Sequence, residues 1–123
     1  MNDRFKFRVW NKQDERYAYS NNSDDILYIE TDGELAYGVY NNDYEDMDYI
    51  PESEVIVEQC TGLKDKNGKL IYEGDIVTDG TDIFEVIWDY NAWCIQTNKF
   101  QHFLTEGFEV IGNIHENKEL LND

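Results

Sequence analysis

The sequence predicts a mainly β fold, a small barrel or sandwich of short antiparallel strands, with a β-rich α+β architecture as the alternative. Several segments alternate apolar with polar residues, which is the pattern of a strand with one buried face. From residue 59 onward, turn residues separate such segments at near-regular intervals, as in barrels and sandwiches. The chain has 123 residues, with nine Tyr, six Phe, three Trp and one proline. We therefore expect one core and a single domain spanning residues 1–123.

The N-terminal part, residues 1–58, is expected to form a hairpin followed by an acidic, tyrosine-rich insertion. Phe5, Phe7 and Val9 alternate with basic residues, which predicts a strand with one apolar and one basic or amphipathic face. Residues 16–19 can return as the second arm of the hairpin. Further strands are predicted at 26–30, 35–40 and 55–60, the longest loop at 41–49, and a turn or single helical turn at 51–54.

Residues 59–117 are expected to form a β meander that contains the core. The pair Asn67 and Gly68 is a strong hairpin signal. Residues 73–77 resemble the turn that opens a barrel strand in SH3-like folds, an analogy of fold that carries no function. Asn117 is expected to cap a short helical turn within the C-terminal tail, residues 118–123. Strands are predicted at 70–72, 75–78, 83–88, 93–97 and 108–114, with 98–107 as a separator.

The charge of the chain is strongly negative and unevenly distributed. Twenty-seven acids against ten bases give a net charge of −17. Residues 14–58 hold fourteen of the acids and one base, Arg16. Such a charge repels phosphate backbones and anionic lipids, so we expect neither direct nucleic-acid binding nor membrane binding. No charged leader followed by an apolar stretch opens the chain, and no long apolar run occurs, so a cytoplasmic location is expected.

The residues that could carry catalysis form no recognisable motif. Cys60 and Cys94 are far apart in sequence and lack metal-ligand spacing, so they are expected to be two buried, reduced thiols. A nucleophilic site could combine Cys94 with His102 or His115, but nothing in the sequence orients these groups. We therefore expect no enzyme activity, no catalytic residues and no cofactor.

A cluster of carboxylates in the middle of the chain offers oxygen ligands for a hard cation such as calcium. The spacing lacks the glycine at the sixth loop position and the long flanking helices of the helix-loop-helix calcium site. We therefore assign no metal ligand. The cluster comprises Asp43, Glu45, Asp46 and Asp48.

The same region is the predicted interaction surface, because seven of the nine tyrosines fall within residues 14–58. Tyrosine offers a large contact area with few rotatable bonds, so tyrosines among charges are typical of protein interfaces. An alternative interpretation is that several of them lie half-buried on sheets that have one solvent-exposed face. The candidate surface comprises Tyr37, Tyr40, Asp43, Tyr44, Glu45, Asp46, Asp48 and Tyr49.

Four blocks of the sequence resemble a known family. They are Lys6 to Trp10, the block from Cys60 to Val77 that contains Leu-Ile-Tyr-Glu-Gly-Asp-Ile-Val, the block Glu85 to Asp89, and the block Glu109 to Asn117. In this order they are similar to the YopX family of phage and prophage proteins. The chain departs from the family pattern in residues 14–58 and at Lys118, where a proline is expected.

The resemblance implies a compact, mainly β accessory protein of bacterial viruses or prophages. It implies no catalytic residue and no cofactor. Together with the acidic surface, it favours a protein-binding module whose partner carries a basic patch. One alternative is an acidic DNA mimic that inhibits a DNA-binding protein of the host. Others are a structural homo-oligomer, which buries exposed strand edges against a second copy, and a small hydrolase.

Overall fold

The computed structural model confirms the mainly β fold, with antiparallel strand pairs in each of its sheets. It describes residues 6–20, 25–29, 35–40, 47–50 and 55–121, with side chains in 6–20 and 55–121. The chain forms two compact units, one of Lys6–Glu58 and one of Gln59–Asp123 together with Met1–Phe5. Among the described residues, no helical segment has the length and hydropathy needed to cross a membrane.

The N-terminal unit contains the predicted hairpin and a three-stranded sheet. Strands β1 and β2 pair so that Val9 lies opposite Ala18, and both are fully buried. Strands β3, β4 and β5 form the second sheet, in that order. The first part of β6 lies next to β1. The strands are β1 (Phe7–Asn11), β2 (Arg16–Tyr19), β3 (Asp25–Ile29), β4 (Leu35–Tyr40), β5 (Met47–Ile50) and β6 (Val55–Lys64).

One prediction for this unit was wrong. The loop predicted at 41–49 includes the start of β5, where Met47 pairs with Tyr40. The sequence of this segment does not predict a strand, and it becomes one because it pairs with the neighbouring strand. The second face of β1, predicted to be basic or amphipathic, is buried at Arg8 and Trp10. The turn predicted at 51–54 lies outside the described residues.

Arg8 is buried because it is paired. Its Nε donates a hydrogen bond to Glu58 Oε1 at 2.9 Å, and both side chains are about 4% exposed or less. The Tyr17 hydroxyl donates to the same oxygen at 2.8 Å, and the guanidinium carbon lies 4.1 Å from the centre of the Tyr17 ring. Pairing, hydrogen bonding and the cation–π contact together offset the cost of burying the two charges.

The C-terminal unit is built on a five-stranded sheet and a hairpin. Its sheet has the strand order β11-β10-β9-β8-β12, and the hairpin joins the second part of β6 to β7. The strands are β7 (Leu70–Tyr72), β8 (Asp75–Thr78), β9 (Ile83–Asp89), β10 (Ala92–Gln96), β11 (Gln101–Phe103) and β12 (Glu109–Asn113). The core consists of Ile71, Val77, Phe84, Val86, Ile95, Leu104 and Phe108.

Strand β11 lies within residues 98–107, which the sequence analysis treated as a separator. Its three residues are too few to show a period, and they become a strand because they pair with β10. Cys60 and Cys94 are both buried, and no disulfide joins them. Their burial confirms the prediction made from their spacing.

The hairpin between β6 and β7 is tied to β12 by the buried carboxylate of Asp65. One oxygen accepts hydrogen bonds from the amides of Asn67 and Lys69, both at 2.9 Å, and the other accepts from the amide of Val110 at 3.0 Å. Burial alone would raise the pKa of this carboxyl. The amide donors, led by Val110, and the charge of Lys69 outweigh it and hold the pKa below its usual value.

The end of the chain is fixed by a close approach between Gly112 and Asn117. A Cβ atom on Gly112 would lie 2.6 Å from Asn117 Oδ1 and 2.8 Å from its Cβ, so a side chain at this position would clash with Asn117. Asn117 precedes a 3-10 helix at Lys118–Leu121. Its side chain accepts from the preceding amide of Asn113 at 3.2 Å, so the predicted capping of the following turn is wrong: the Asn117 side chain reaches back to β12 instead.

Candidate functional site

The groups proposed for nucleophilic catalysis are not brought together. Cys94 lies opposite Phe103, and its neighbour Ile95 lies opposite His102. Adjacent residues of a strand point to opposite faces, so the sheet separates the Cys94 thiol from the His102 ring. His115 follows β12, at the other edge of the same sheet.

The predicted acidic tyrosine surface lies entirely outside the described side chains. Tyr37 and Tyr40 belong to β4, and Asp48 and Tyr49 belong to β5, where the two strands pair by their backbones. Residues 43–46, which hold Asp43, Tyr44, Glu45 and Asp46, lie outside the described residues. The role assigned to this surface stays a prediction.

The sheet has an edge that the sequence analysis did not single out. Residues 90–105, which we call the edge hairpin, comprise the turn after β9, β10, the next turn, β11 and the two residues that follow it. Between Asp89 and Glu106 there is no acidic residue, although the chain carries 27 acids in 123 residues. This is the longest acid-free stretch of the sequence. It forms one side of the five-stranded sheet.

Exposed aromatic side chains are concentrated on and beside the edge hairpin. Tyr90 is 79% exposed, Phe103 is 67% exposed and Trp88 is 52% exposed. Trp88 lies opposite Trp93 across β9 and β10, and their rings make an edge-to-face contact with centres 4.9 Å apart. Large apolar side chains left in water in this way are typical of an interaction surface.

The tip of the edge hairpin is held in a costly backbone conformation. Tyr90 and Asn91 form the two-residue turn between β9 and β10, with φ angles of 50° and 58°. Asparagine and glycine favour such a turn, whereas a bulky residue in the left-handed region costs about 1 kcal/mol or more. A strained residue that is also almost fully exposed contributes little to packing. Such strain is concentrated at functional sites.

A polar cleft of about 650 Å³ lies between the β8–β9 and β10–β11 turns and the 3-10 helix. It contains Lys99 and Lys118, which are the only basic residues after Lys69 apart from the two histidines. Asp82 and Glu85 line the same cleft and balance the two lysines. The cleft therefore selects for neither an anion nor a cation by its net charge.

One signal in the sequence could have located the edge hairpin. In a chain this acidic, a stretch without Asp or Glu identifies a surface where negative charge is absent. The alternation of apolar and polar residues does not reveal the edge hairpin, because β11 has only three residues. The exposure of Phe103 depends on which strands lie beside β11.

The chain has relatives of known structure. The crystal structure of the protein yopX from Bacillus subtilis superposes with a TM-score of 0.72 at 23% identity, covering 99% of this chain and 100% of that one. A crystal structure of a protein from Enterococcus faecalis superposes with a TM-score of 0.58 at 25% identity, covering 95% and 97%. The likeness to the first structure shows the fold alone. No curated protein matches the chain.

The family assignment rests on the sequence. The family model described as YopX protein matches residues 6–122, which includes the acidic region where the sequence analysis recognised no block. The chain belongs to the YopX family.

Proposed function

We propose that the protein is a non-catalytic protein-binding module, a phage or prophage accessory protein acting in the host cytoplasm, and that the edge hairpin is a contact surface. The observation that carries the proposal is that the exposed, strained Tyr90 and the exposed Phe103 both lie on the acid-free stretch at one side of the five-stranded sheet. Aromatic residues at an interface supply large contact area at low cost in conformational entropy.

The charge distribution supports the same assignment. The acid-rich remainder of the chain attracts a basic partner over distance and raises the encounter rate. The edge hairpin itself carries one formal charge, that of Lys99, if its histidine is neutral. A contact on this surface therefore desolvates few charges, which keeps the cost of docking low.

Site-specific photo-crosslinking tests the proposal. The photoreactive residue benzoylphenylalanine replaces Phe103 in one variant and Thr81, an exposed residue of the β8–β9 turn, in the control. In cells that express each variant, we expect a defined host or phage protein to crosslink at 103 and not at 81. The purified partner should then bind the wild-type chain and bind the Phe103→Glu variant about tenfold more weakly or worse. Equal crosslinking at both positions would contradict the proposal.

The homo-oligomer is the second candidate, and the open edge of the sheet at β11 favours it. Two copies joined through this edge would place acid-free surfaces against each other, which limits the repulsion between two chains of charge −17. Sedimentation velocity at several concentrations tests it, because an edge-mediated dimer should become a monomer in Phe103→Glu. The DNA mimic and the predicted acidic tyrosine surface remain proposals that rest on the composition of the sequence alone.

A further inference from the structure

The open side of β11 presents backbone groups to solvent. In an antiparallel pair, hydrogen-bonded and non-hydrogen-bonded residue pairs alternate. The Thr97 amide donates to the Phe100 carbonyl and the Leu104 amide to the Trp93 carbonyl, each at 2.9 Å. It follows that His102 bonds inward to β10, whereas the amide and carbonyl of Gln101 and Phe103 face outward. Among the described strands, none lies beyond β11.

Apart from the shortness of β11, this edge lacks the features that protect most sheet edges. Natural edge strands carry charges, proline or bulges that discourage a further strand from pairing. Residues 100–105 contain no Lys, Arg, Asp, Glu or Pro. The register between β10 and β11 is regular over all three residue pairs, with no bulge. The edge is therefore able to accept an added strand.

The charges around the edge indicate what that strand carries. Residues 59–121 hold eleven acids and five bases, so this unit by itself repels an acidic strand. Asp89 and Glu106 flank the edge hairpin, and the Asp89 carboxylate reaches β11 through a 3.3 Å hydrogen bond from Gln101 Nε2. Phe103 projects a ring that is 67% exposed, which can accept a Lys or Arg side chain on its face.

We propose that an extended, basic segment of a partner protein adds to β11 as a sixth strand of this sheet, with a cationic side chain over Phe103. This inference rests on the proposed function and names the chemistry of the partner and the mode of binding. Backbone hydrogen bonds to Gln101 and Phe103 supply affinity, as in other cases of strand addition. The ring and the flanking carboxylates supply the preference for basic side chains.

Fluorescence anisotropy with labelled synthetic peptides tests the proposal at physiological salt. The first probe is a nine-residue peptide that alternates Lys with Thr. The second has the same charge, with Pro in place of each Thr, so that it adopts polyproline II and cannot extend a sheet. We expect the first peptide to bind at least about tenfold more tightly than the second, because only it can make the strand hydrogen bonds.

Two pairs of variants separate strand addition from other effects. Gln101→Pro removes an outward amide and leaves the pairing with β10 intact, so we expect at least about a tenfold loss of Lys-Thr peptide affinity. Gln101→Thr keeps the amide and should bind normally. Phe103→Ala should weaken binding several-fold, whereas Ile111→Ala, at the opposite edge strand, should not. Circular dichroism confirms that each variant is folded.

The outcomes are distinct. Equal binding of both peptides, or normal binding by Gln101→Pro, overturns strand addition and leaves protein binding by other contacts intact. No peptide binding while a partner still crosslinks at position 103 overturns the basic-strand inference and supports the proposed function. A chain that dimerises through β11 and ignores both peptides overturns it as well, because a second copy is then the occupant.

Discussion

Replacing Asp65 by asparagine is expected to destabilise the C-terminal unit. The carboxylate accepts three backbone hydrogen bonds at 2.9 to 3.0 Å, from Asn67, Lys69 and Val110, in a position only 7% exposed. Asparagine has nearly the same shape but one oxygen. If that oxygen serves the hairpin amides of Asn67 and Lys69, the NH₂ group faces the amide of Val110, and two donors oppose each other.

The magnitude follows from the hydrogen bonds that change. A hydrogen bond to a charged group contributes about 1.5 to 3 kcal/mol, and a buried donor left unsatisfied costs about 1 to 3 kcal/mol. The two hairpin bonds persist in weaker, neutral form. We therefore expect the free energy of unfolding to fall by about 2 to 3 kcal/mol.

Urea unfolding at pH 7, followed by tryptophan fluorescence, measures this change. Asp79→Asn is the matched control, because the Asp79 carboxylate also accepts two turn amides, from Thr81 and Asp82, but is exposed. We expect the control to lose much less stability. A change below about 0.5 kcal/mol in Asp65→Asn, within the range of ordinary surface substitutions, would refute the role assigned to the buried carboxylate.

The pKa of Asp65 predicts how stability depends on pH. Its pKa in the folded state lies below the ordinary value of an aspartate, so the unfolded state binds the proton more readily. The contribution of Asp65 is therefore fully present above the unfolded pKa and is lost as pH falls through the lower folded pKa. Between about pH 5 and pH 2, the wild type should lose more stability than Asp65→Asn, whose residue 65 does not titrate. If the unfolding free energies of the two proteins fell in parallel with pH, this prediction would be contradicted.

Three further substitutions test the packing and the turn. Gly112→Ala should cost about 2 kcal/mol, because its Cβ would strike the Asn117 side chain, and a second change to Asn117→Ala should recover part of it. Glu58→Gln should cost about 3 kcal/mol, because it removes the carboxylate charge that faces the buried Arg8 guanidinium. Arg8→Met with Glu58→Leu should be far milder. Tyr90→Asn should stabilise by about 1 kcal/mol, since asparagine tolerates a φ of 50°. Urea denaturation measures the change in the free energy of unfolding for each substitution. A change of the opposite sign would contradict the argument made for that substitution.

Local patterns predicted most of the strands. The alternation around Val9 and the turn signal at Gly68 lead to β1 and to the β6–β7 hairpin, both of which are present. These signals work because a strand with one buried face needs period two, and because a positive φ, here 86° at Gly68, favours glycine.

Short strands and buried polar groups were not predictable in this way. β5 and β11 have four and three residues, and each exists because a longer strand beside it offers backbone partners. Charged residues such as Arg8 and Asp65 are mostly exposed in proteins, so their type gives no sign of burial. Their burial depends on Glu58, fifty positions away, and on the amide of Val110, forty-five positions away.

The sequence by itself determined the mainly β class, the family and the burial of the two cysteines, because each depends on composition or on residues near in sequence. Only the tertiary structure decided that Cys94 and His102 face away from each other. It also decided that the acid-free residues 90–105 form an open sheet edge with Phe103 exposed. Which strand lies at an edge follows from the pairing of all five strands, and no local pattern contains that order.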